Sequence, residues 1–95
     1  MAVTMDLRMP SEAGQLYDPL NRELGVGKDK LPEGLIHHFA TRTKDGFNIF
    51  EVWDSQEAFD RFANDRLLPA LKKLVGEQAP QIQPMFGQLH NELHR

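Results

Sequence analysis

The chain of 95 residues has no cysteine, and it has one tryptophan and one tyrosine. Without cysteine it can form no disulfide, thiolate nucleophile or cysteine-ligated metal site. A lack of cysteine fits a reducing compartment. The N-terminal residues also lack the basic region and following apolar run of a secretory signal peptide. We therefore expect a cytoplasmic protein.

Basic residues are also few, since 11 lysines and arginines stand against 14 aspartates and glutamates. Nucleic acid binding requires a basic surface, and no basic cluster is present. No apolar run is long enough to span a membrane, and no glycine-rich phosphate loop occurs. We expect no nucleic acid or membrane partner. The hydrophobic share of 40% is typical of a globular chain, and residues 1–95 are predicted to form one domain.

The most informative stretch is residues 34–55, where two alternating runs of β-branched and aromatic residues flank the turn Lys44-Asp45-Gly46. This pattern predicts an antiparallel hairpin. With an even-numbered loop, strand alternation assigns these residues to one face: Ile36, His38, Ala40, Phe47, Ile49, Glu51 and Trp53. It assigns these to the other: Leu35, His37, Phe39, Thr41, Phe50 and Val52. Both faces are largely apolar, so both need a covering layer.

The segment before the hairpin predicts a strand and a helix. Residues 3–9 alternate with a period of two, which is typical of a strand. Residues 12–24 have apolar positions at helical spacing, with Ser11 as a cap and Gly25 as a stop. Pro19 is expected to kink this helix or to end a run of its hydrogen bonds, because proline lacks the backbone donor.

A second helix is predicted after the hairpin. It begins at Asp54 or Ser55 and ends around Gly76, with a bend near residues 65–69 caused by Pro69.

The last extended run, residues 85–93, suits an edge strand. The order strand, helix, strand, strand, helix, strand predicts an α+β, ferredoxin-like βαββαβ fold, with a four-stranded antiparallel sheet and two helices on one face. The apolar face without helices predicts a homodimer.

Several segments carry a family resemblance: Gly34-Leu35-Ile36, His38, Val52-Trp53-Asp54-Ser55, Glu57-Ala58-Phe59, Arg61-Phe62 and His90-Asn91. With these the sequence resembles the antibiotic biosynthesis monooxygenase-like family of dimeric α/β-barrel proteins. The resemblance covers most of the chain. It implies that two subunits pack sheet against sheet to close a barrel.

The resemblance also bears on chemistry. Some family members oxygenate aromatic or quinol compounds without metal or organic cofactor. Related proteins degrade haem with a histidine on the second helix. This chain has no histidine there, so that role is not carried over. His37 stands where similar sequences are usually apolar, and the pattern leaves open whether His37 or His38 faces a cavity.

His38 and Glu51 are the candidate catalytic residues. A carboxylate opposite an imidazole fixes the ring tautomer and stabilises the protonated ring, as a general base requires. The alternative is a buried polar pair in the dimer core. Trp53 is a candidate stacking surface for a flat ligand. The alternative is a core residue that only fills space. Tyr17 either presents its hydroxyl to the substrate cleft or is a core residue with a hydrated tip.

The C-terminal residues offer a further candidate site. His90, Glu92 and His94 alternate, and this residue set suits a divalent metal. Strand spacing sets them too far apart for a compact site, so we expect no metal and no other cofactor. Asn91 and His90 are candidate substrate contacts, although Asn91 suits a strand end equally well.

Two functions from different classes follow. The first is a cofactor-independent monooxygenase acting on a small aromatic or quinol-type compound, with His38 as the base. The second is a non-catalytic dimeric barrel that binds a small apolar ligand or serves as an assembly module. A His38 that a ligand can reach favours the enzyme, and one sealed in the dimer core favours the module.

Overall fold

The computed structural model describes residues 1–78 and 83–95 and has the predicted α+β, ferredoxin-like fold. The four strands form one antiparallel sheet in the order β2-β3-β1-β4, covered on one face by helices. The elements are β1 (Val3–Met9), a 3₁₀ turn (Ser11–Ala13), α1 (Gly14–Leu24), β2 (Leu35–Arg42), β3 (Phe47–Trp53), α2 (Gln56–Phe62), a π-helical turn (Ala63–Leu67), α3 (Leu68–Val75), a second 3₁₀ turn (Gly76–Gln78) and β4 (Met85–Gln88).

The hairpin forms as predicted, with His38 opposite Glu51 and Phe39 opposite Phe50. A β-bulge between Leu35 and His37 changes the start of β2. Because a bulge adds one residue to a strand, it reverses the face of the residues before it. Leu35 therefore lies opposite Trp53 and is buried, whereas Ile36 is 40% exposed. The predicted faces of Leu35 and Ile36 were wrong.

The first helix begins later than predicted. Residues Ser11–Ala13 form a 3₁₀ turn, and the Ser11 side chain makes no capping hydrogen bond. The α-helix continues past Pro19 to Leu24 and ends where Gly25 adopts φ 69°, a left-handed conformation that glycine tolerates. The predicted helix end is confirmed, and the predicted cap is wrong.

The second helix is capped by Ser55, whose Oγ accepts a hydrogen bond from the N–H of Ala58 at 3.1 Å. It runs through α2, the π-helical turn and α3 without a break. The π-helical turn falls where the sequence predicts a bend, just before Pro69. A wider turn of this kind accommodates a residue that cannot donate to the usual carbonyl.

The core lies between the helices and the inner sheet face. It is formed by these buried residues: Met5, Leu7, Leu35, Trp53, Ala58 and Phe59. Trp53 is fully buried. Since Phe59 and Trp53 meet edge to face at 5.5 Å between ring centroids, the second helix is anchored on β3.

The last strand, β4, is an edge strand as predicted but ends at Gln88, so the expected run to residue 93 is too long. The following segment reaches His37 on β2, at the other edge of the sheet, where Glu92 Oε2 lies 2.8 Å from His37 Nε2. Residues 79–82, in the approach to β4, lie outside the described residues. Within the part that is described, no helix has the length and apolar character needed to cross a membrane.

Replacing Phe59 or Leu71 by alanine should lower the free energy of unfolding by about 2 to 5 kcal/mol, because each leaves a cavity in the core. Both side chains are buried, with 6% and 4% exposure. Lys73→Ala is the control, since the Lys73 side chain is 70% exposed and pairs with Glu23 at the surface. Chemical denaturation is the measurement. Equal effects of all three substitutions would contradict this helix orientation.

Candidate active site

Four polar side chains form one hydrogen-bonded chain on the inner side of the sheet, with Glu51 near its centre. Glu51 Oε1 accepts a hydrogen bond from Trp53 Nε1–H at 2.8 Å. Glu51 Oε2 lies 2.6 Å from His38 Nδ1. At the other side of the imidazole ring, Tyr17 Oη lies 2.5 Å from His38 Nε2. The chain therefore runs from the buried indole to a phenol hydroxyl.

Backbone geometry brings these residues together. Glu51 and Trp53 are two positions apart on β3, so their side chains point to the same face of the sheet. His38 lies directly opposite Glu51 on β2. Tyr17 comes from α1 and stacks on His38, with ring centroids 5.7 Å apart and an interplanar angle of 20°. Two strands, β2 and β3, and one helix, α1, thus contribute the four hydrogen-bonded side chains.

Burial makes Glu51 dependent on these partners. Its exposure is 9%, and an ionised carboxylate in such surroundings needs hydrogen-bond donors. Both of its oxygens have one. Because a carboxylate accepts hydrogen bonds, His38 carries its hydrogen on Nδ1, and the Nε2 lone pair accepts the Tyr17 hydroxyl hydrogen. This tautomer is the one in which Nε2 can take up a proton.

A cavity of about 110 Å³ lies between the sheet and the helices. Its polar lining side chains in the described structure are Tyr17, Asn21, His38 and Glu51. The remaining lining is apolar and includes methionines, leucines and three phenylalanines. An apolar cavity with a few convergent polar groups is the usual form of a small-molecule site.

Of the candidate residues named from the sequence, His38, Glu51 and Tyr17 line the cavity. His37 points to the opposite face of the sheet, which answers which of the two adjacent histidines faces the cavity. The structure places Trp53 differently from the expectation of a stacking surface. Trp53 is fully buried and does not line the cavity. Its N–H is directed at the Glu51 carboxylate, two positions away on β3.

His90 and Asn91 do not lie at the cavity. Both are exposed, because β4 ends at Gln88 and the chain then leaves the sheet. Glu92 Oε2 contacts His94 Nδ1 at 3.1 Å as well as His37, so it pairs with a histidine from β2 and not with His90. Among residues 1–78 and 83–95 no group of three or more histidine, aspartate or glutamate side chains is arranged to hold a metal ion.

Asn21 is the cavity residue that sequence reasoning missed. It lies four positions after Tyr17 on α1, and residues at this spacing share one face of a helix. If Tyr17 is assigned to the cavity, this spacing predicts that Asn21 also lies there. Its amide supplies a donor and an acceptor at the same wall.

Comparison of the sequence with protein-family models and with curated proteins gives no match. Solved structures match over nearly the whole chain. The cofactor-independent oxygenase SnoaB from Streptomyces nogalater has 16% identity and a TM-score of 0.65, with 99% of this chain and 98% of SnoaB covered.

Two further solved structures are similar. A proposed antibiotic biosynthesis monooxygenase from Chloroflexus aurantiacus has 18% identity and a TM-score of 0.65, with 99% of this chain and 98% of that one covered. A haem-degrading protein from Mycobacterium tuberculosis has 12% identity and a TM-score of 0.59, with coverage of 99% and 100%. At these identities the likeness shows the fold. The α+β, ferredoxin-like fold of the single chain is thereby confirmed.

Proposed function

We propose that this protein is a cofactor-independent monooxygenase acting on a small aromatic or quinol-type compound. The observation that supports this most is the placement of His38, backed by Glu51, at an apolar cavity. The fold it shares with SnoaB, a cofactor-independent oxygenase, supports the same reaction class by analogy.

The chemistry begins with loss of a proton from a phenol or hydroquinone. His38 is the base, and the imidazolium that forms is stabilised by Glu51 across a 2.6 Å contact. The resulting aryl oxide is electron-rich enough to reduce dioxygen. One oxygen atom forms a bond to a ring carbon, which loses its hydrogen. The other oxygen atom leaves as water, formed with the two hydrogens and two electrons that the substrate loses, so the product is a quinone. Asn21 and Tyr17 orient the substrate oxygen atoms.

The cavity volume favours a small substrate. An apolar protein cavity of roughly 150 Å³ holds benzene, and the present cavity of about 110 Å³ is smaller. One-ring dihydroxyaromatics therefore fit with the least movement of side chains. Anthrone-like compounds with three rings require the helices or their side chains to move apart.

The site does not fit a haem. The histidine at the cavity, His38, has both ring nitrogens engaged, at 2.6 Å and 2.5 Å, so neither is free to bind iron. The cavity is also far smaller than a porphyrin needs. No step of the proposed reaction involves haem.

A homodimer belongs to this proposal. The outer sheet face carries a row of residues that are paired across the strands: Phe39 with Phe50, Phe50 with Asp6, and Asp6 with Met85. Phe39, Phe50 and Met85 are 55%, 40% and 55% exposed. Exposed aromatic and apolar side chains on one sheet face are suited to packing against a second copy of the same sheet. A cytoplasmic location is part of the same proposal.

The competing function is a non-catalytic module that binds a small apolar ligand. The mostly apolar lining favours it, because it gives affinity for hydrophobic compounds without requiring any reaction. The activity measurement that follows separates the two.

His38→Ala should reduce oxygen consumption by about 10² to 10⁴-fold, the usual contribution of a general base. Glu51→Gln should cost less, because the base remains. The assay uses a panel of dihydroxyaromatics and anthrone-like compounds. His37→Ala is a matched control, since this neighbouring histidine lies on the other sheet face and should leave turnover unchanged. No turnover by the wild-type protein would favour the binding module, and turnover that survives His38→Ala would reject His38 as the base.

Phe39→Asp should convert the dimer to a monomer, because it replaces an exposed aromatic side chain of the outer face by a charge that the interface would have to bury. Sedimentation at several micromolar concentrations is the measurement. Leu31→Asp is the control: Leu31 is similarly exposed, at 49%, but lies in the loop between α1 and β2. A wild-type protein that stays monomeric would contradict the dimer.

A further inference from the structure

Tyr17 and His38 are hydrogen-bonded to each other, and both line the cavity. Tyr17 Oη is 2.5 Å from His38 Nε2, while Nδ1 of the same ring is bonded to Glu51. Nε2 can take up a proton, but its lone pair already faces the Tyr17 hydroxyl. A tyrosine hydroxyl that donates to Nε2 keeps lone pairs that can accept a hydrogen bond from a ligand hydroxyl.

We propose that Tyr17 is a further catalytic residue, which takes the substrate proton as it passes its own proton to His38. The inference rests on the proposed function. The O–H bond of the substrate breaks and its electron pair stays on the aryl oxygen. The released proton forms a new O–H bond on Tyr17, and the former Tyr17 proton forms an N–H bond on Nε2. No oxidant takes part in this step.

The packing around Tyr17 suits this transfer. Its ring is held between His38 and Phe47, with centroids 5.7 Å and 5.3 Å away, so the hydroxyl is kept on Nε2. Both oxygens that exchange the proton belong to phenols and are chemically alike. The positive charge ends on His38, next to the Glu51 carboxylate, and the aryl oxide receives a hydrogen bond from the re-formed Tyr17 hydroxyl.

4-Nitrophenol tests this step without any oxygen chemistry, since only its ionised form absorbs visible light. The probe is titrated spectrophotometrically at a pH where the free compound is mostly neutral. The wild-type protein should ionise the bound probe. Tyr17→Phe keeps the ring packing but removes the hydroxyl, and the ionisation constant of the bound probe should fall about tenfold or more with the lost charge-assisted hydrogen bond.

Two further variants complete the design. His38→Gln retains a polar partner for Tyr17 but no base, and it should leave the bound probe neutral. Thr43→Val removes a hydroxyl at the hairpin turn, where it bonds the carbonyl of Gly46, and should not change ionisation. Unfolding midpoints of all variants confirm that they are folded.

The proposal is overturned if Tyr17→Phe ionises the bound probe as fully as the wild type while His38→Gln does not. It is also overturned if the wild-type protein fails to bind the probe or binds it neutral. Ionisation as expected without oxygen uptake on any aromatic compound would reject the oxygenase and leave the proton transfer standing. Oxygen uptake that is unaffected by Tyr17→Phe would reject the role of Tyr17 and leave the oxygenase.

Discussion

The burial of the Glu51 carboxylate is the constraint on which the site depends. A carboxylate with 9% exposure is costly unless donors replace the lost water, and here Trp53 and His38 supply them. The indole fixes one oxygen from inside the core. The other oxygen then fixes the imidazole, and the imidazole holds Tyr17 on α1. Loss of any member leaves its neighbour with an unmatched polar atom.

The hydrogen bonds from Trp53 to Tyr17 link the core to the cavity. Trp53 packs against Phe59 and Phe62 of the second helix, while its N–H faces Glu51. The β-bulge before His37 turns Leu35 inward beside Trp53, so β2 contributes both an apolar side chain and His38 to one face. Trp53 thus packs the second helix on the sheet and also fixes the carboxylate that orients the candidate base.

Sequence periodicity predicted most of the fold, because amphipathic strands and helices are local patterns. The placement of His38 and Glu51 on one face was also predicted, from an even number of residues in the hairpin loop. The bulge at residues 35–37 was not predictable in this way, since it depends on which of two adjacent apolar residues packs better against Trp53. The π-helical turn was anticipated only as a bend at Pro69. A proline in a helix predicts a bend, but whether the bend takes the form of a π-helical turn depends on tertiary packing.

The candidate site was predictable where it lay within the hairpin and less so elsewhere. Tyr17 was a cavity candidate from helical spacing, yet its bond to His38 depends on how α1 crosses the sheet. Asn21 was missed for the same reason. His90 and Asn91 were candidates from the family resemblance and from their side-chain chemistry in a strand predicted to run to residue 93. The end of β4 at Gln88 leaves them outside the cavity.

The tautomer of His38 tests the central claim most directly, and long-range ¹H–¹⁵N NMR correlations measure it. The ring is assigned by comparison with the His37→Ala and His38→Gln variants. With Glu51 accepting from Nδ1 and Tyr17 donating to Nε2, neutral His38 should carry its hydrogen on Nδ1 and show an unprotonated Nε2. A neutral ring with its hydrogen on Nε2 would contradict the account, because His38 would then have no lone pair facing Tyr17 and the cavity.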